Sequence, residues 1–415
     1  MRIRVSQSVR MGLGCAVLLV LAACSSEPEA TATPTKTPKP AVPSVEGQSA
    51  AQPPTLAMVT LIPTFTPPPL PTVHPVVTAT PHSTATPTRT AIEGLIGPDN
   101  FAGDVNPLTG LAAADPATLN RRPLAVKISN SPAQYVRPHS GLDKADLVFE
   151  HYAEGAVTRL TAVFYSQAVR QVGSVRSARL IDLEIPAMYQ AAFAYSGSSA
   201  GVKTKIRNSD FYDRVISPDF GYGEPYFYRM PREGVPYEHT LFSNLYDIWA
   251  WLESKGNNVR PDLKGLAFTP DPPPGGTPAG SVQVGYLGPD TLVRWTFVPA
   301  QDRYLRWQGG VAHTVLDGTQ LSATNVVVLA AHHQDTDILE DTVAGGHYSI
   351  EIQLWGEGPA SLFRDGLRYE GRWHRAERGE MLTFTDLQGN ILPLKPGNTW
   401  FQVVPLGFTQ LTVAP

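Results

Sequence analysis

The sequence predicts an α+β protein, with a mixed-sheet and helix N-terminal domain (a layered sandwich) followed by a mostly antiparallel β C-terminal domain. Three short apolar runs, at 124–128, 145–150 and 158–165, have the length and composition of buried strands. The segment 240–256 carries apolar residues at helical spacing. From residue 281 onward, strand-like runs alternate with turns, and VRWTFV and YSIEIQLW show the period of two that half-buried strands have.

Residues 1–24 are predicted to be a lipoprotein signal peptide. Arginines near the start precede an apolar stretch that is too short for a comfortable membrane span. The stretch ends in LAAC, and small residues before such a cysteine match the bacterial lipobox pattern. We therefore expect lipid on Cys24, which anchors an extracytoplasmic protein to the cell membrane. An ordinary signal peptide with an incidental cysteine is the alternative.

Residues 25–95 are predicted to form a disordered Pro/Thr-rich stalk. Repeated Thr-Pro steps such as TATPTKTPKPA and TATPHSTATPTRTA remove backbone donors and favour extended chain. A segment of this composition cannot bury enough apolar surface to form a core. The stalk is therefore expected to hold the folded part away from the membrane.

Composition excludes several classes of function. The 33 basic and 37 acidic residues give a net charge of −4, so there is no overall basic field for nucleic acid. The chain has 2 cysteines, Cys15 and Cys24, and both precede the folded part. That part therefore has no disulfide framework or thiolate site. His332, His333 and His347 lack a metalloprotease spacing, so we expect no metal and no cofactor.

The N-terminal domain is placed at 96–260. Its segment 176–195 has apolar spacing for a helix, and 196–201 is expected to be a flexible junction. Residues 221–238 are crowded with aromatics and predict an ordered loop on the wall of a cleft. The following helix is expected to begin at Thr240 or Ser243 and to end at Gly256.

A Pro/Gly-rich hinge at 261–280 is predicted to join the C-terminal β-rich domain, residues 281–415. The apolar run NVVVLAAHH is expected to form a strand that gives way to a polar loop at HHQDTD. Later runs such as HYSIEIQLW, MLTFTD and WFQVVP continue the pattern of strands.

Charged and polar side chains are dense around the ends of the first three predicted strands. A buried charge is costly unless it is paired, so this density indicates a site or a structural network. The functional interpretation is a cleft in which arginines grip a carboxylate or phosphate. The alternative is a set of buried salt bridges that fixes strand register. The candidate ligand-binding residues are Arg137, His139, Glu150, Glu154, Arg159, Arg176, Ser177, Arg179, Asp182 and His239.

Catalytic interpretations of these residues are weaker. Glu150 and Glu154 could act as acid and base, but their spacing in an extended segment fixes no useful distance. Ser177 lacks the G-x-S-x-G surroundings of a hydrolase nucleophile. His239 could line the cleft or cap the helix that follows it. We therefore name no catalytic residue.

Several motifs occur in an order that resembles a known family. They are NPLTGL at 106–111, RPLAVKISNSP at 122–132, RPHSGLDKADLVFE at 137–150, EGAVTRLTAVF at 154–164 and VGSVRSAR at 172–179. The C-terminal half adds DGLRYEGRWHR and PGNTWFQVVP. Together they resemble the YerB-like bacterial lipoproteins, from about residue 106 to the C-terminus. The resemblance implies paired domains of unknown function and no particular activity.

The sequence favours a lipoprotein that binds or scaffolds a cell-envelope partner, whether a protein, a peptide or a wall fragment, through an Arg/Glu-lined cleft. The competing hypothesis is an envelope hydrolase that acts on a peptidoglycan-like polymer with Glu150 or Glu154 as acid/base. The sequence leaves open whether any reaction is catalysed and favours a binder. We expect no nucleic-acid partner.

Overall fold

The computed structural model describes residues 92–342 and 345–415. The predicted signal peptide, the lipidation site at Cys24 and most of the predicted stalk lie outside the described residues. Among the residues that are described, no helix has both the length and the apolar character needed to cross a membrane.

The N-terminal half of the described chain combines strands with short helices, as the fold class predicts. Each of the three predicted central strands is present. The strands are β1 (Leu124–Ser129), β2 (Leu147–Ala153), β3 (Val157–Phe164), β4 (Val172–Gly173), β5 (Ala192–Ala194), β6 (Val215–Ile216), β7 (Phe227–Arg229) and β8 (Leu241–Ser243). The α-helices are α1 (Ala133–Val136), α2 (Ile185–Met188), α3 (Ala200–Arg207) and α4 (Leu245–Ser254).

The C-terminal half consists mainly of strands, most of them paired antiparallel. They are β9 (Thr277–Pro278), β10 (Ser281–Gly285), β11 (Leu292–Val298), β12 (Arg303–Gln308), β13 (Val311–Ala312), β14 (Ser322–Ala323), β15 (Asn325–Asp341), β16 (His347–Gln353), β17 (Gly356–Arg364), β18 (Leu367–Arg375), β19 (Thr383–Asp386), β20 (Thr399–Pro405) and β21 (Leu411–Ala414). Short 3-10 helices lie at Pro116–Asn120, Leu142–Lys144, Leu180–Leu183, Tyr212–Arg214, Pro218–Phe220, Tyr237–His239 and Pro289–Thr291.

Strands from both halves share one 12-stranded sheet, in the order β19-β18-β17-β15-β20-β2-β3-β1-β5-β6 with β16 and β9 off this path. The halves join where β20 runs parallel to β2 on one side and parallel to β15 on the other. A second sheet has 6 strands in the order β13-β12-β11-β10-β21, with β14 beside β12, and a third is β4-β8-β7. The α+β class is therefore confirmed, and the division into two domains remains a prediction.

Both faces of the large sheet are buried, which gives the fold its layers. One face, which we call the helical face, packs against α2 and α3. There Phe149 and Val163 share a core with Met188 of α2 and Ile206 of α3. The other face packs against the 6-stranded sheet and α4, where a second core includes Trp295. Because both faces are covered, the central strands contain few exposed residues, and polar side chains on them are enclosed.

The predicted helix at 176–195 is wrong over most of its length. Only a 3-10 turn, Leu180–Leu183, and the one-turn helix α2 form there, and the chain then becomes strand β5. Pro186 lies in the first turn of α2, where its missing N–H costs nothing. The following residues pair parallel with β1, because that position buries Phe193 completely.

Other boundaries also differ from prediction. Helix α4 begins after Asn244, whose side chain accepts a hydrogen bond from the N–H of Tyr246, because residues 241–243 pair with β7 as strand β8. Gly256, at φ +69°, follows the helix end as predicted. Strand β15 continues to Asp341, where a polar loop was expected, because its polar half pairs with β16.

Part of the predicted hinge is packed into the protein. Leu263, Leu266 and Phe268 are buried in the core on the helical face of the large sheet. Phe268 also makes backbone bridges to Ile96 and Leu394. The proline-rich portion at 270–275 is largely exposed.

Candidate functional site

The predicted site residues fall into two buried networks and one partly exposed cluster. The first network is centred on Glu150, whose Oε2 accepts a hydrogen bond from Arg306 Nη2 at 2.7 Å; both side chains are 0% exposed. Asn130 and Thr158 donate to the other oxygen of Glu150, at 3.0 and 2.8 Å. Since Arg306 lies on β12, the ion pair joins the large sheet to the 6-stranded sheet.

Two histidines extend this network, and the hydrogen bonds along it fix which ring nitrogen of each histidine carries the proton. Arg306 Nε donates to Nδ1 of His313 at 2.9 Å, so the proton of His313 must lie on Nε2. That nitrogen donates to Nδ1 of His139 at 2.7 Å, and His139 Nε2 donates to the carbonyl of Ser129 at 2.7 Å. Both rings are therefore neutral. Burial lowers the pKa of His139 to about 3 and holds the pKa of His313 well below its usual range.

Arg137 lies at the edge of the same network, half-buried. Its Nη2 donates to the carbonyl of Asn130 at 2.9 Å and to that of Asp290 at 3.3 Å. Burial, together with repulsion from Arg306, lowers the pKa of Arg137 to about 10. It also donates to the side-chain oxygen of Asn130 at 3.4 Å.

This network predicts that acid destabilises the protein. A histidine in the unfolded chain takes up a proton near pH 6.5, whereas folded His139 resists protonation down to about pH 3. Between these values the unfolded state binds more protons, so stability falls as the pH falls. Urea unfolding at about pH 7 and about pH 4.5 measures the difference.

The matched comparison uses two histidine variants. His139→Gln is expected to show a smaller loss of stability between the two pH values, because its titratable group is gone. His347→Gln, which replaces a 33% exposed ring, is expected to behave like the wild type. An equal pH dependence in all three proteins would contradict the assignment.

A second buried network lies on the helical face of the sheet. Lys127 Nζ lies 2.8 Å from Oδ2 of Asp182, and both side chains are 0% exposed. Nζ also donates to His151 Nε2 at 2.7 Å, and Thr161 Oγ1 donates to Asp182 at 2.8 Å. Burial lowers the pKa of Lys127 to about 8 despite the attraction of Asp182. The N–H of Arg179 donates to Asp182 at 2.7 Å, so this network fixes the loop that carries the arginines.

The partly exposed cluster contains Arg159, Arg176, Arg179 and His239, which we call the arginine site. Arg159 lies on β3, and Arg176 and Arg179 follow β4. Arg179 Nε donates to Glu154 Oε2 at 2.5 Å. Its Nη1 lies 3.6 Å from Glu340, a residue of β15. The site therefore combines residues from distant parts of the sequence.

Among the described residues, Arg159 and Arg176 have no carboxylate at ion-pair distance, in contrast to Arg179. Arg159 is 8% exposed, and its Nη1 donates only to the carbonyl of Thr158, at 3.2 Å. Arg176 Nη1 donates to the carbonyl of Glu238 at 3.2 Å. Burial, and then repulsion from Arg176 and Arg179, lowers the pKa of Arg159 to about 9. Two guanidinium groups thus remain incompletely neutralised.

His239 lies beside these arginines. It is 4% exposed and stacks on Tyr135 with ring centroids 5.4 Å apart. Burial and repulsion from Arg176 lower its pKa to about 4, so its ring is neutral at neutral pH. Helix α4 begins later, after Asn244, so His239 does not cap it.

Ser177 is half-buried between Arg176 and Arg179. The backbone on both sides of it pairs with the segment that was predicted to be a flexible junction: Ser196 donates to the carbonyl of Arg176 at 3.0 Å, and Ala178 to that of Gly197 at 2.8 Å. In the same segment, Ser199 caps helix α3 and donates to Glu340 at 3.0 Å. These bonds hold the arginine-bearing loop in place.

The structure therefore separates the ten predicted residues. It brings together Glu154, Arg159, Arg176, Ser177, Arg179 and His239, and it encloses His139, Glu150 and Asp182 in the two buried networks, with Arg137 at the edge of one of them. Sequence reasoning missed Arg306, His313, Lys127, His151 and Glu340. Of these five residues, only Lys127 had a local signal, because it is a charged residue within the apolar run LAVKI.

Two other features of the fold bear on ligand binding. A cavity of about 970 Å³ is lined by the prolines of the predicted hinge, together with Tyr369 and Leu392, and it contains no predicted site residue. The aromatic loop contributes Tyr222 and Tyr226, which pack edge-on against Trp251. Within the described ranges, no three His, Cys, Asp or Glu side chains are placed to hold a metal ion.

Comparisons with known proteins match most of the folded chain. Residues 108–258 match the family model described as "Protein of unknown function (DUF3048) N-terminal domain", and residues 282–401 match its C-terminal domain. YerB of Bacillus subtilis (strain 168), which is named as a lipoprotein, is 31% identical over 302 residues, 72% of this chain and 86% of that protein. A crystal structure of the Bacillus subtilis YerB protein matches with a TM-score of 0.63 and 27% identity, over 75% of this chain and 99% of that one.

Proposed function

Because this chain belongs to the YerB-like family with paired DUF3048 domains, we propose that it is a lipid-anchored extracytoplasmic protein that binds an anionic component of the cell envelope through the arginine site. The observation that carries the binding role is the pair of buried or half-buried guanidinium groups, Arg159 and Arg176, without a carboxylate partner within the described residues.

The proposed anchoring rests on two observations. The chain has the LAAC pattern with Cys24 directly after an apolar stretch, and its Bacillus relative is named as a lipoprotein. A lipid on Cys24 and a Pro/Thr-rich segment before the folded part would display the arginine site outside the membrane. Cleavage before Cys24 and the stalk role of residues 25–95 are parts of this proposal.

The proposed binding role follows from the electrostatics of the site. A buried cation without a partner lowers stability, so its presence needs a compensating interaction. Guanidinium groups bind carboxylates and phosphates through two parallel hydrogen bonds, which compensates both charge and donors. An anion supplied by a partner would provide this compensation for Arg159 and Arg176.

The same geometry gives less support to a hydrolase. Glu150 is 0% exposed and paired with Arg306, so it contacts protein groups only. The side chain of Glu154 is 4% exposed and its Oε2 is held by Arg179. A general acid/base must reach the bond that it cleaves, either directly or through one water. We therefore propose a binder, without a catalytic role for either residue.

Envelope capture tests the proposal. Full-length protein, extracted in detergent, is incubated with solubilised envelope and a cell-wall digest, and the bound material is identified. We expect the wild type to retain an anionic envelope component and Arg176→Ala/Arg179→Ala to lose about 90% or more of it, because charged hydrogen bonds contribute about 1.5–3 kcal/mol each.

The matched control is Arg294→Ala/Arg372→Ala, which removes the same charge at two exposed positions. It is expected to capture as much as the wild type. Equal capture by both double variants would place recognition elsewhere on the protein. Release of cleaved polymer by the wild type, abolished in Glu154→Gln with binding retained, would favour the hydrolase instead.

A further inference from the structure

The arginine site presents hydrogen-bond donors that are buried and unused. Among the described atoms, the donors Arg159 Nε and Arg176 Nε have no hydrogen-bond partner, and neither has the ring nitrogen His239 Nδ1. Arg159 and His239 are more than nine-tenths buried, at 8% and 4% exposed. Buried polar groups are nearly always satisfied, so unpaired donors collected in one place indicate an acceptor from outside the chain.

The charge at the site has a definite surplus. Arg179 is neutralised by Glu154 at 2.5 Å and also faces Glu340 at 3.6 Å. Glu340 is itself held by hydrogen bonds from Ser199 and Ser349. The two carboxylates therefore contact Arg179, and Arg159 and Arg176 have no carboxylate at ion-pair distance. Summed over the three arginines and the two carboxylates, the site carries about one positive charge.

The unused donors distinguish the two anions that arginines commonly bind. A carboxylate carries one negative charge, whereas a phosphate monoester carries about 1.5 to 2 negative charges at neutral pH and offers three strong acceptor oxygens. Two guanidinium groups with free Nε donors match the monoester in the number of acceptor oxygens, since each can bind a different pair of oxygens. A single carboxylate has only two oxygens to share between them.

Resting on the binding role proposed above, we infer that the arginine site recognises a phosphate monoester, held between Arg159 and Arg176. Glu154 and Glu340 contact Arg179, which leaves Arg159 and Arg176 for the ligand. The phosphate monoester could belong to a lipid headgroup or to a soluble or wall-borne molecule. The arginines would bind it through the same hydrogen bonds in either case.

Titration with small anions at constant ionic strength tests the inference on the full chain. Glycerol 3-phosphate is expected to bind at least about 10-fold more tightly than acetate. Arg176→Gln is expected to weaken its binding by about 10- to 100-fold, whereas Arg372→Gln leaves it unchanged. Equal affinity for the two anions, or unchanged phosphate binding in Arg176→Gln, would overturn the inference.

Arg159 gives a readout that a merely structural residue would not. Without ligand, Arg159→Met is expected to raise the urea midpoint, because an unpaired buried cation is removed, and to abolish the stabilisation that glycerol 3-phosphate gives the wild type. A structural arginine would lower the midpoint when replaced, and that result would overturn the assignment of Arg159.

The pKa of His239 provides a second readout, by NMR. The charged groups that face this ring are Arg176, Arg159 and Arg232, which lower its pKa, and Glu238, which raises it. A bound phosphate would add negative charge, so the pKa of His239 should rise on addition of glycerol 3-phosphate. An unchanged pKa at saturating phosphate would place the anion away from this site.

Vesicle binding distinguishes a lipid source of the phosphate from a soluble or wall-borne source. The full chain is used with Cys24→Ser, which removes the protein's own lipidation site. Binding to phosphatidylcholine vesicles that contain phosphatidic acid, lost in Arg176→Gln, indicates a lipid. Absence of vesicle binding with retained glycerol 3-phosphate binding indicates a soluble or wall-borne source. Both results support phosphate recognition.

The inference and the proposed function can fail separately. If envelope capture depends on the arginines but glycerol 3-phosphate neither binds nor competes, the binding role stands and the phosphate assignment falls. If the phosphate binds at the site but envelope capture is the same in wild type and Arg176→Ala/Arg179→Ala, the phosphate assignment stands and the proposed envelope-binding role falls.

Discussion

Replacing Glu150 with alanine is expected to lower the free energy of unfolding by about 3–5 kcal/mol, because it leaves a buried cation unpaired. The cation is Arg306, which is 0% exposed and donates to Glu150 at 2.7 Å. The substitution also removes the acceptor for Asn130 and Thr158. Urea unfolding followed by tryptophan fluorescence measures the change, since Trp295 and Trp400 lie 5.0 and 4.5 Å from the Arg306 guanidinium.

The matched control is Glu357→Ala. Glu357 also accepts a hydrogen bond from an arginine, Arg372, at 2.8 Å, but the two side chains are 56% and 42% exposed. Exposed ion pairs contribute about 0–1 kcal/mol, so this variant should remain close to the wild type. If both variants lose the same small amount, the Glu150 pair is not enclosed as described.

A second large loss is expected for Asp182→Ala, again about 3–5 kcal/mol, because Lys127 then loses the buried carboxylate that stabilises its charged form. The pair lies 2.8 Å apart with both side chains 0% exposed. The control, Asp262→Ala, removes a pair with Lys264 in which the side chains are 75% and 53% exposed, and it should remain close to the wild type.

Two further measurements identify the charge on Lys127 as the cause. In Lys127→Met/Asp182→Leu no ion remains buried, so much of the loss should be recovered. The pKa of Lys127 is lowered from 10.5 to about 8, so between these values the unfolded state binds more protons. The Lys127 contribution therefore becomes more favourable as the pH rises through this window. A double variant as unstable as Asp182→Ala would exclude this explanation.

The parts of the fold that the sequence predicted are those with local causes. The strands LAVKI, ADLVFE and TRLTAVFY are apolar along their length because both sheet faces are covered, and they were recognised for that reason. The segment AAFAY was assigned to a helix, because small apolar residues fit both periods and only its pairing with β1 decides between them. The pairing of β2 with β20 leaves no local pattern at all.

The site was predictable to a similar degree. Charge density after the strands pointed to Arg159, Arg176 and Arg179, which the fold does bring into one cluster. It pointed equally to Glu150 and Asp182, because a sequence does not show which charges will be enclosed. Their partners on the other side are invisible for the same reason: Arg306 is 156 residues from Glu150 along the chain. Glu340 reaches the cluster only through the long hairpin of β15 and β16.

The position of β20 determines when the large sheet can be completed during synthesis. This strand lies between β2 and β15 in the middle of the large sheet, yet its residues, Thr399–Pro405, lie far from β2 along the chain and are synthesised much later. Until they emerge, β2 lacks one of its two neighbours, and contacts that span so much of the chain form slowly. The large sheet can therefore be completed only after residues Thr399–Pro405 have been synthesised.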